Sequence, residues 1–436
     1  MAFDPLYVVY LAPLIILWLV ISVLRRKGEA NSRSVRDAAV AAGLTQPSSL
    51  HPVIDPAICL GCGACARACP EGDVIGLIGG KAALIEPTQC IGHGACKLAC
   101  PYDAISLVFG TEERGVDIPH VGADFQTNIP GIYIAGELGG MGLIRNAIEQ
   151  GRQALAAIKG SMRPGVGGGD LFDVIIVGAG PAGISASLAA MENKIRFLTL
   201  EQDSFGGTVS HFPRGKLVMT QPAILPLYGK VRFREVSKEK LLAFWQDVAE
   251  RTGLTINYQE RVEEIVRQDS AFVVRTTQSA YRTRAVLLAI GRRGTPRKLE
   301  VPGEDQSKVV YRLIDPEQYR DQRVLVVGGG DSAMEAAASI AELPGTEVTL
   351  SYRSKAFSRA KLKNRERIET LQRSNKLEVM LSSNVRAIEP DRVAIEHEGH
   401  DIVIENDAVI VCAGGILPTG FLKATGIEVE TKYGTA

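Results

Sequence analysis

The chain opens on an unbroken apolar stretch. Residues 6–24 carry no charge, Arg25-Arg26-Lys27 follows at once, and Asp4 is the sole charged side chain ahead of them. About 20 apolar residues cross a bilayer core, so the pattern predicts a transmembrane helix over 6–24 within an anchor of residues 1–27. Tyr7, Tyr10 and Trp18 are interfacial-type aromatics, and the basic cluster puts the short N-terminus outside and the rest in the cytoplasm. The expected location is the inner membrane, single-pass, with the catalytic domains cytoplasmic. A cleaved signal would carry a basic start and a small-residue cleavage site, and neither is present. Residues 28–54 turn polar and Ala-rich and read as a linker with a short helix near 34–42.

Farther on, apolar residues come in short continuous runs that stop near glycine, at 174–177, 286–290, 324–327 and 409–413. Such runs are strands buried on both faces, the mark of parallel sheets covered by helices. An α/β architecture follows. Ser237 opens an amphipathic helix through Arg251, with Leu241, Leu242, Phe244, Trp245 and Val248 on its core face.

Composition narrows this picture. A length of 436 residues allows two or three domains. Lys and Arg number 49, as do Asp and Glu, so no net charge argues for nucleic acid. Seven of the eight cysteines fall between residues 59 and 100, which reads as metal binding in a reducing compartment. Cys412 stands alone in an apolar strand and is assigned to the core.

Two glycine turns carry candidate chemistry. Asp173-Val-Ile-Ile-Val-Gly178-Ala-Gly180-Pro181-Ala182-Gly183 is a strand, a turn and a helix start, the arrangement that places a pyrophosphate on a helix N-terminus. Glu201 ends the next strand, placed to bond a ribose hydroxyl, and Gly207-Thr208 follows. A second unit of the same kind is Arg323-Val-Leu-Val-Val-Gly328-Gly-Gly330-Asp331-Ser332. Beyond its second strand, Arg353, Lys355 and Arg359 stand where a 2′-phosphate would be held. The choice between NADPH and NADH stays open.

Two such units in this order resemble the two-dinucleotide flavoproteins of the thioredoxin-reductase class. The resemblance implies two Rossmann-like domains, with FAD on the first (171–299) and NAD(P)H on the second (300–405), and a return to the FAD domain over 406–436. Val286-Leu-Leu-Ala289-Ile-Gly291, then Pro296-Arg-Lys-Leu-Glu-Val-Pro302-Gly303, matches the family's crossing between the two halves. His211 lies near the expected flavin edge and is read as structural.

The first cysteine run, Cys59-x-x-Cys62-x-x-Cys65-x-x-x-Cys69-Pro70, resembles two-cluster bacterial ferredoxins. It is followed by Cys90-x-x-His93-x-x-Cys96-x-x-x-Cys100-Pro101. The resemblance implies a small α+β ferredoxin-like domain over 55–110. One 4Fe–4S cluster would take Cys59, Cys62, Cys65 and Cys100, and a second Cys90, Cys96 and Cys69. His93 stands where the family has a cysteine. It ligates the second cluster, or that cluster is 3Fe–4S, or His93 merely neighbours it. A neutral imidazole in place of a thiolate raises the potential, which would make the second cluster the electron sink.

Residues 111–159 resemble the closing segment of the same flavoprotein fold, on Pro130-Gly-Ile-Tyr-Ile-Ala-Gly136-Glu137 and the helix start after Gly142. In the family this piece ends the chain, and here the sequence stops where it would begin. The reading is a circular permutation, joined through a Gly-rich tether at 160–170. Gly136, Glu137 and Gly142 would then face FAD. If the tether reaches a second copy, the site is completed in trans and the protein is a homodimer.

Thioredoxin reductases carry a Cys-x-x-Cys before the second turn, and residues 308–320 hold no cysteine. Dithiol exchange is therefore not expected. The cysteine-free form resembles ferredoxin–NADP reductases and bacillithiol-disulfide-reductase-like flavoproteins. The expected function is a membrane-anchored oxidoreductase passing electrons between NAD(P)H, FAD and two clusters, to or from a quinone-reactive or cytochrome subunit. A low-molecular-weight disulfide reductase using Cys412 and a non-turnover redox sensor are the alternatives.

Overall fold

The computed structural model describes residues 5–47, 50–140, 142–161, 170–219, 222–233, 235–292, 294–358 and 360–434, and the side chains of 5–11, 217 and 219 are not among those described. The chain forms two compact units. One comprises Met1–Gly115, Ala356–Leu362 and Tyr433–Ala436, the other Val116–Lys355 and Lys363–Lys432. Most of the tether at 160–170 lies outside the described residues.

The first unit begins with one helix, Pro5–Ala41. Residues 28–41, expected as a connector, continue it. Two polar contacts and a glycine explain why. The Glu29 carboxylate accepts the Gly79 N–H at 2.9 Å. Ser32 is buried against Gly76, where a Cβ would come within 2.5 Å of its hydroxyl. Ala39 and Leu44 are also buried. Earlier on the helix the apolar residues face outward, with Leu14 61%, Trp18 66% and Leu24 62% exposed. Among the described residues no helix is long and apolar enough to cross a membrane. The first six residues of the expected span, 6–11, fall outside the described side chains.

The cysteine-bearing part is a twofold repeat. Strand His51–Ile54 pairs antiparallel with Ile105–Val108, and Ile75–Ile78 with Lys81–Leu84. Strand His51–Ile54 lies ahead of residue 55, within the stretch read as a linker. Helices Ala64–Ala68 and Ala95–Leu98 each start after a left-handed glycine, Gly63 (φ 71°) and Gly94 (φ 76°).

In the second unit, strands Phe197–Leu200, Leu171–Val177 and Ala280–Leu288 lie parallel, and Ile132–Ile134 adds parallel to the far edge of Ala280–Leu288. A hairpin, Val262–Gln268 with Ala271–Thr276, extends the same sheet antiparallel. A second, all-parallel sheet runs in the order Val309–Val310, Ala408–Val411, Arg323–Val327, Glu347–Tyr352, Leu377–Leu381. Strand Ala408–Val411 sits inside this second sheet, so the return expected from residue 406 begins later, where Gly415–Ile416 pairs with Thr295–Pro296. Both sheets take equally apolar strands, so the pattern alone does not tell which sheet a run joins. Val429–Lys432 then pairs antiparallel with Val116–Pro119.

Candidate functional site

At the first turn, strand Leu171–Val177 runs into helix Pro181–Glu192 through Gly178, whose φ of 104° suits glycine. The turn lies close to its neighbours. A Cβ on Gly178 would sit 2.6 Å from the Ala289 carbonyl oxygen, one on Gly183 1.8 Å from that of Gly178, and one on Gly207 2.9 Å from the Gly180 Cα. Pro181 takes the first helical position, where its missing N–H costs nothing. The Glu201 carboxylate accepts the N–H groups of Ala179 at 2.7 Å and Asp203 at 3.0 Å. It is buried, and burial pushes its carboxyl up against the lowering by those N–H groups.

The segment 111–159 reaches the same turn. Helix Ile144–Ser161 packs on helix Pro181–Glu192, and a Cβ on Gly151 would lie 2.1 Å from the Ala182 carbonyl oxygen. Gly136 (φ 85°) abuts Ala182, and its N–H donates to the Gln150 side chain at 2.8 Å. Glu137 is the acid of this corner. A Cβ on Gly291 would lie 3.8 Å from both the Glu137 carboxylate and the Thr208 hydroxyl, and one on Gly142 3.4 Å from Glu137. Burial pushes the Glu137 carboxyl up, and Arg292 opposes this with its charge and its backbone N–H. The Arg292 guanidinium donates to the Asp117 carbonyl at 2.8 Å. The structure therefore brings Gly136, Glu137, Gly142, Thr208, Ala289 and Gly291 together around the first turn. Arg292 and Gln150 were not picked out by the sequence, because their partners lie far away along the chain.

At the second turn, Gly328 (φ 147°) faces the Cys412 carbonyl, and helix Asp331–Ala341 starts after Gly330. Tyr352 explains the middle glycine: a Cβ on Gly329 would lie 2.3 Å from its ring. Ser332 is exposed at the helix start, and Asp331 accepts from Asn364 at 2.8 Å. Arg353 is exposed at the end of Glu347–Tyr352, and Arg359 lies outside the described residues. An ion pair, Lys216 to Glu335 at 2.6 Å, ties the first half to this helix. His211 lies 3.2 Å from the Asp203 carboxylate and bonds the Arg312 side chain. Cys412 is half-buried rather than fully enclosed.

In the other unit, Cys59, Cys62, Cys65 and Cys100 line one cavity with Ile54, Leu60 and Tyr102. Among the described residues no three His, Cys, Asp or Glu side chains are close enough to hold a single metal ion. The four thiols surround a space, as a multi-iron cluster requires. Backbone N–H groups of Gly61 and Ala82 point at the Cys59 sulfur, and that of Ala104 at Cys100, each at 3.4 Å. A second group holds Cys69, Cys90 and Cys96. Burial pushes the Cys90 thiol up to about 11, with smaller effects from the charges of Cys96, Cys69 and Glu71. Gly92 (φ 77°) and Gly94 (φ 76°) flank His93 as Gly61 (φ 67°) and Gly63 (φ 71°) flank Cys62, so His93 takes the backbone position of a cavity-lining cysteine. Its Nε2 lies 3.4 Å from the Glu71 carboxylate. Glu71, like Arg292 and Gln150, is not picked out by the sequence.

Two glycine turns, each on parallel strands, together with a cysteine-lined repeat in the other unit, define a dinucleotide-binding oxidoreductase with an iron–sulfur domain. The sequence profile of the pyridine nucleotide-disulphide oxidoreductases matches residues 175–435, and the chain belongs to that family. It is an NAD(P)H-dependent oxidoreductase. The profile of the 4Fe-4S dicluster domain matches residues 51–101. The bacilliredoxin reductase of Bacillus subtilis is 27% identical over 267 residues, covering 60% of this chain and 82% of that protein. Ferredoxin–NADP reductase 1 of Christiangramia forsetii is 30% identical over 274 residues, covering 59% and 74%. Among solved structures, the bacillithiol disulfide reductase of Staphylococcus aureus superposes with a TM-score of 0.53 at 26% identity, covering 60% of this chain and 81% of that one.

Proposed function

We propose that this protein moves electrons between NAD(P)H and its own iron–sulfur unit, and through that unit to or from a membrane redox partner. One observation carries the reading. A chain without cysteine between Cys100 and Cys412 sets four cysteines around a cavity in one unit and a half-buried acid, Glu137, beside a dinucleotide turn in the other. FAD, when bound, takes a hydride equivalent from reduced nicotinamide and releases electrons singly, the form that clusters accept.

Gly178, Gly180, Gly183, Glu201, Gly207, Thr208 and Glu137 would hold FAD. Gly328, Gly330, Asp331, Ser332 and Arg353 would hold the nicotinamide cofactor, with NADPH favoured by the exposed Arg353 and Lys355. Residues 116–158 act as the permuted closing piece, a reading supported by the pairing of Ile132–Ile134 with 286–288 in one chain. His93 would complete a second, higher-potential cluster beside Cys69, Cys90 and Cys96. The outward apolar face of the first helix supports an anchor over 6–24, which makes a quinone-reactive or cytochrome subunit the natural partner.

The test is anaerobic rapid mixing of the full chain with NADPH or NADH, followed by EPR of quenched samples. Flavin bleaching followed by cluster signals is expected. Bleaching that leaves every cluster oxidised refutes the reading. Deleting residues 1–27 should release the protein from membranes with flavin retained.

A second reading, reduction of a bacillithiol-type disulfide, draws on the half-buried Cys412, whose backbone carbonyl abuts Gly328 of the second turn. Turnover of such a disulfide that Cys412→Ser abolishes would replace the first reading.

A further inference from the structure

The Gly92-His93-Gly94 loop repeats the backbone of Gly61-Cys62-Gly63. A histidine carried on a cysteine's backbone position has two nitrogens to offer. Nδ1 lies nearer the main chain, close to where a cysteine sulfur would stand, and Nε2 lies farther out. In the structure the outer nitrogen lies 3.4 Å from the Glu71 carboxylate. Glu71 belongs to this corner by one further contact and by its charge. Its backbone N–H bonds the Cys69 sulfur, and its charge acts on both Cys69 and Cys90. Imidazoles that bind metal regularly donate their remote N–H to a carboxylate, which fixes the tautomer and the ring plane.

We infer that Glu71 is a positioning residue for the second cluster: it takes the Nε2–H of His93 and leaves Nδ1 to meet iron. This rests on the reading that His93 is a ligand. The neutral imidazole raises the cluster's potential relative to four thiolates. A carboxylate beside it adds negative charge and lowers that potential part of the way back. His93 and Glu71 together then set the step between the two clusters.

The experiment uses the full, cluster-loaded chain, prepared with histidine labelled with ¹⁵N at δ1 or at ε2. In hyperfine spectra of the reduced second cluster, the strong directly bonded coupling should appear with the δ1 label. Glu71→Gln keeps an acceptor but drops the charge. It should retain that coupling and shift the second cluster's midpoint upward, with the first cluster's signal unchanged as the folding control. Strong coupling from ε2 overturns the inference while leaving His93 a ligand. No strong coupling from either label overturns the ligand reading itself. An unmoved midpoint in Glu71→Gln overturns the role given to the carboxylate.

Discussion

Gly151 offers the sharpest test of how the segment 111–159 is seated. A Cβ there would lie 2.1 Å from the Ala182 carbonyl oxygen and 2.9 Å from its carbon. Normal carbon–oxygen contact would require helices Ile144–Ser161 and Pro181–Glu192 to part by on the order of 1 Å, in an interior packed as densely as a crystal. Overpacking of this kind costs about 1–3 kcal/mol, and Gly→Ala in a helix returns about 1 kcal/mol. Gly151→Ala should therefore destabilise by up to ~2 kcal/mol, or roughly 4 °C in Tm at ~2 °C per kcal/mol for a unit this large. Gly160, near the end of the same helix, has nothing within 4 Å of its would-be Cβ. Gly160→Ala keeps the propensity gain without the clash and should be neutral or stabilising by up to ~1 kcal/mol. The assay is thermal unfolding followed by flavin fluorescence, with flavin content measured on the purified variants. Stabilisation of Gly151→Ala by the full ~1 kcal/mol expected for an unclashed site such as Gly160 would refute the seating of this helix on the first turn.

Other expectations are quicker to state. Glu137→Gln should retain less flavin than the parent with both cluster signals intact. Because burial raises the Glu137 pKa above its usual 4.5, the flavin-free parent should lose stability as pH rises from about 4.5 through the folded value, and Glu137→Gln should flatten that loss in a pH series of melts. Gly329→Ala forces a methyl against the Tyr352 ring and should cost about 1–3 kcal/mol, seen as a lower Tm and weaker protection by NADP⁺. Arg353→Ala should raise KM for NADPH several-fold more than KM for NADH, and an equal effect on both would remove Arg353 from the 2′-phosphate site.

The glycine turns were legible in the sequence because their physical demand is local. Gly178, Gly183 and Gly328 touch backbone atoms that no side chain could clear, so the residue type itself records the contact. The cysteine spacing was legible for the same reason, since ligands must recur at fixed intervals. What stayed hidden depends on distant partners. The helix over residues 28–41 looked like a linker because its docking rests on Ser32 against Gly76 and Glu29 against Gly79, polar and small residues with no periodic signature. Arg292 reads as one of many basic residues until Asp117 and Glu137 arrive beside it. Strand His51–Ile54 was missed because a four-residue strand with a proline gives almost no pattern.

The pairing of Ile132–Ile134 with 286–288 also sets a timetable for synthesis. The short strand leaves the ribosome first, and its partner follows roughly 150 residues later, on the order of 10 s at the usual ~5–20 residues per second. For the first part of that interval, until Pro181–Glu192 is made, the apolar face of Ile144–Ser161 has no helix to cover it. In the unpermuted order that the proposed function invokes, this piece would be made last and would dock at once. Here the nascent protein carries an open edge while the rest of the flavin half is still being made, and slowed elongation between residues 170 and 290 should lower the soluble yield.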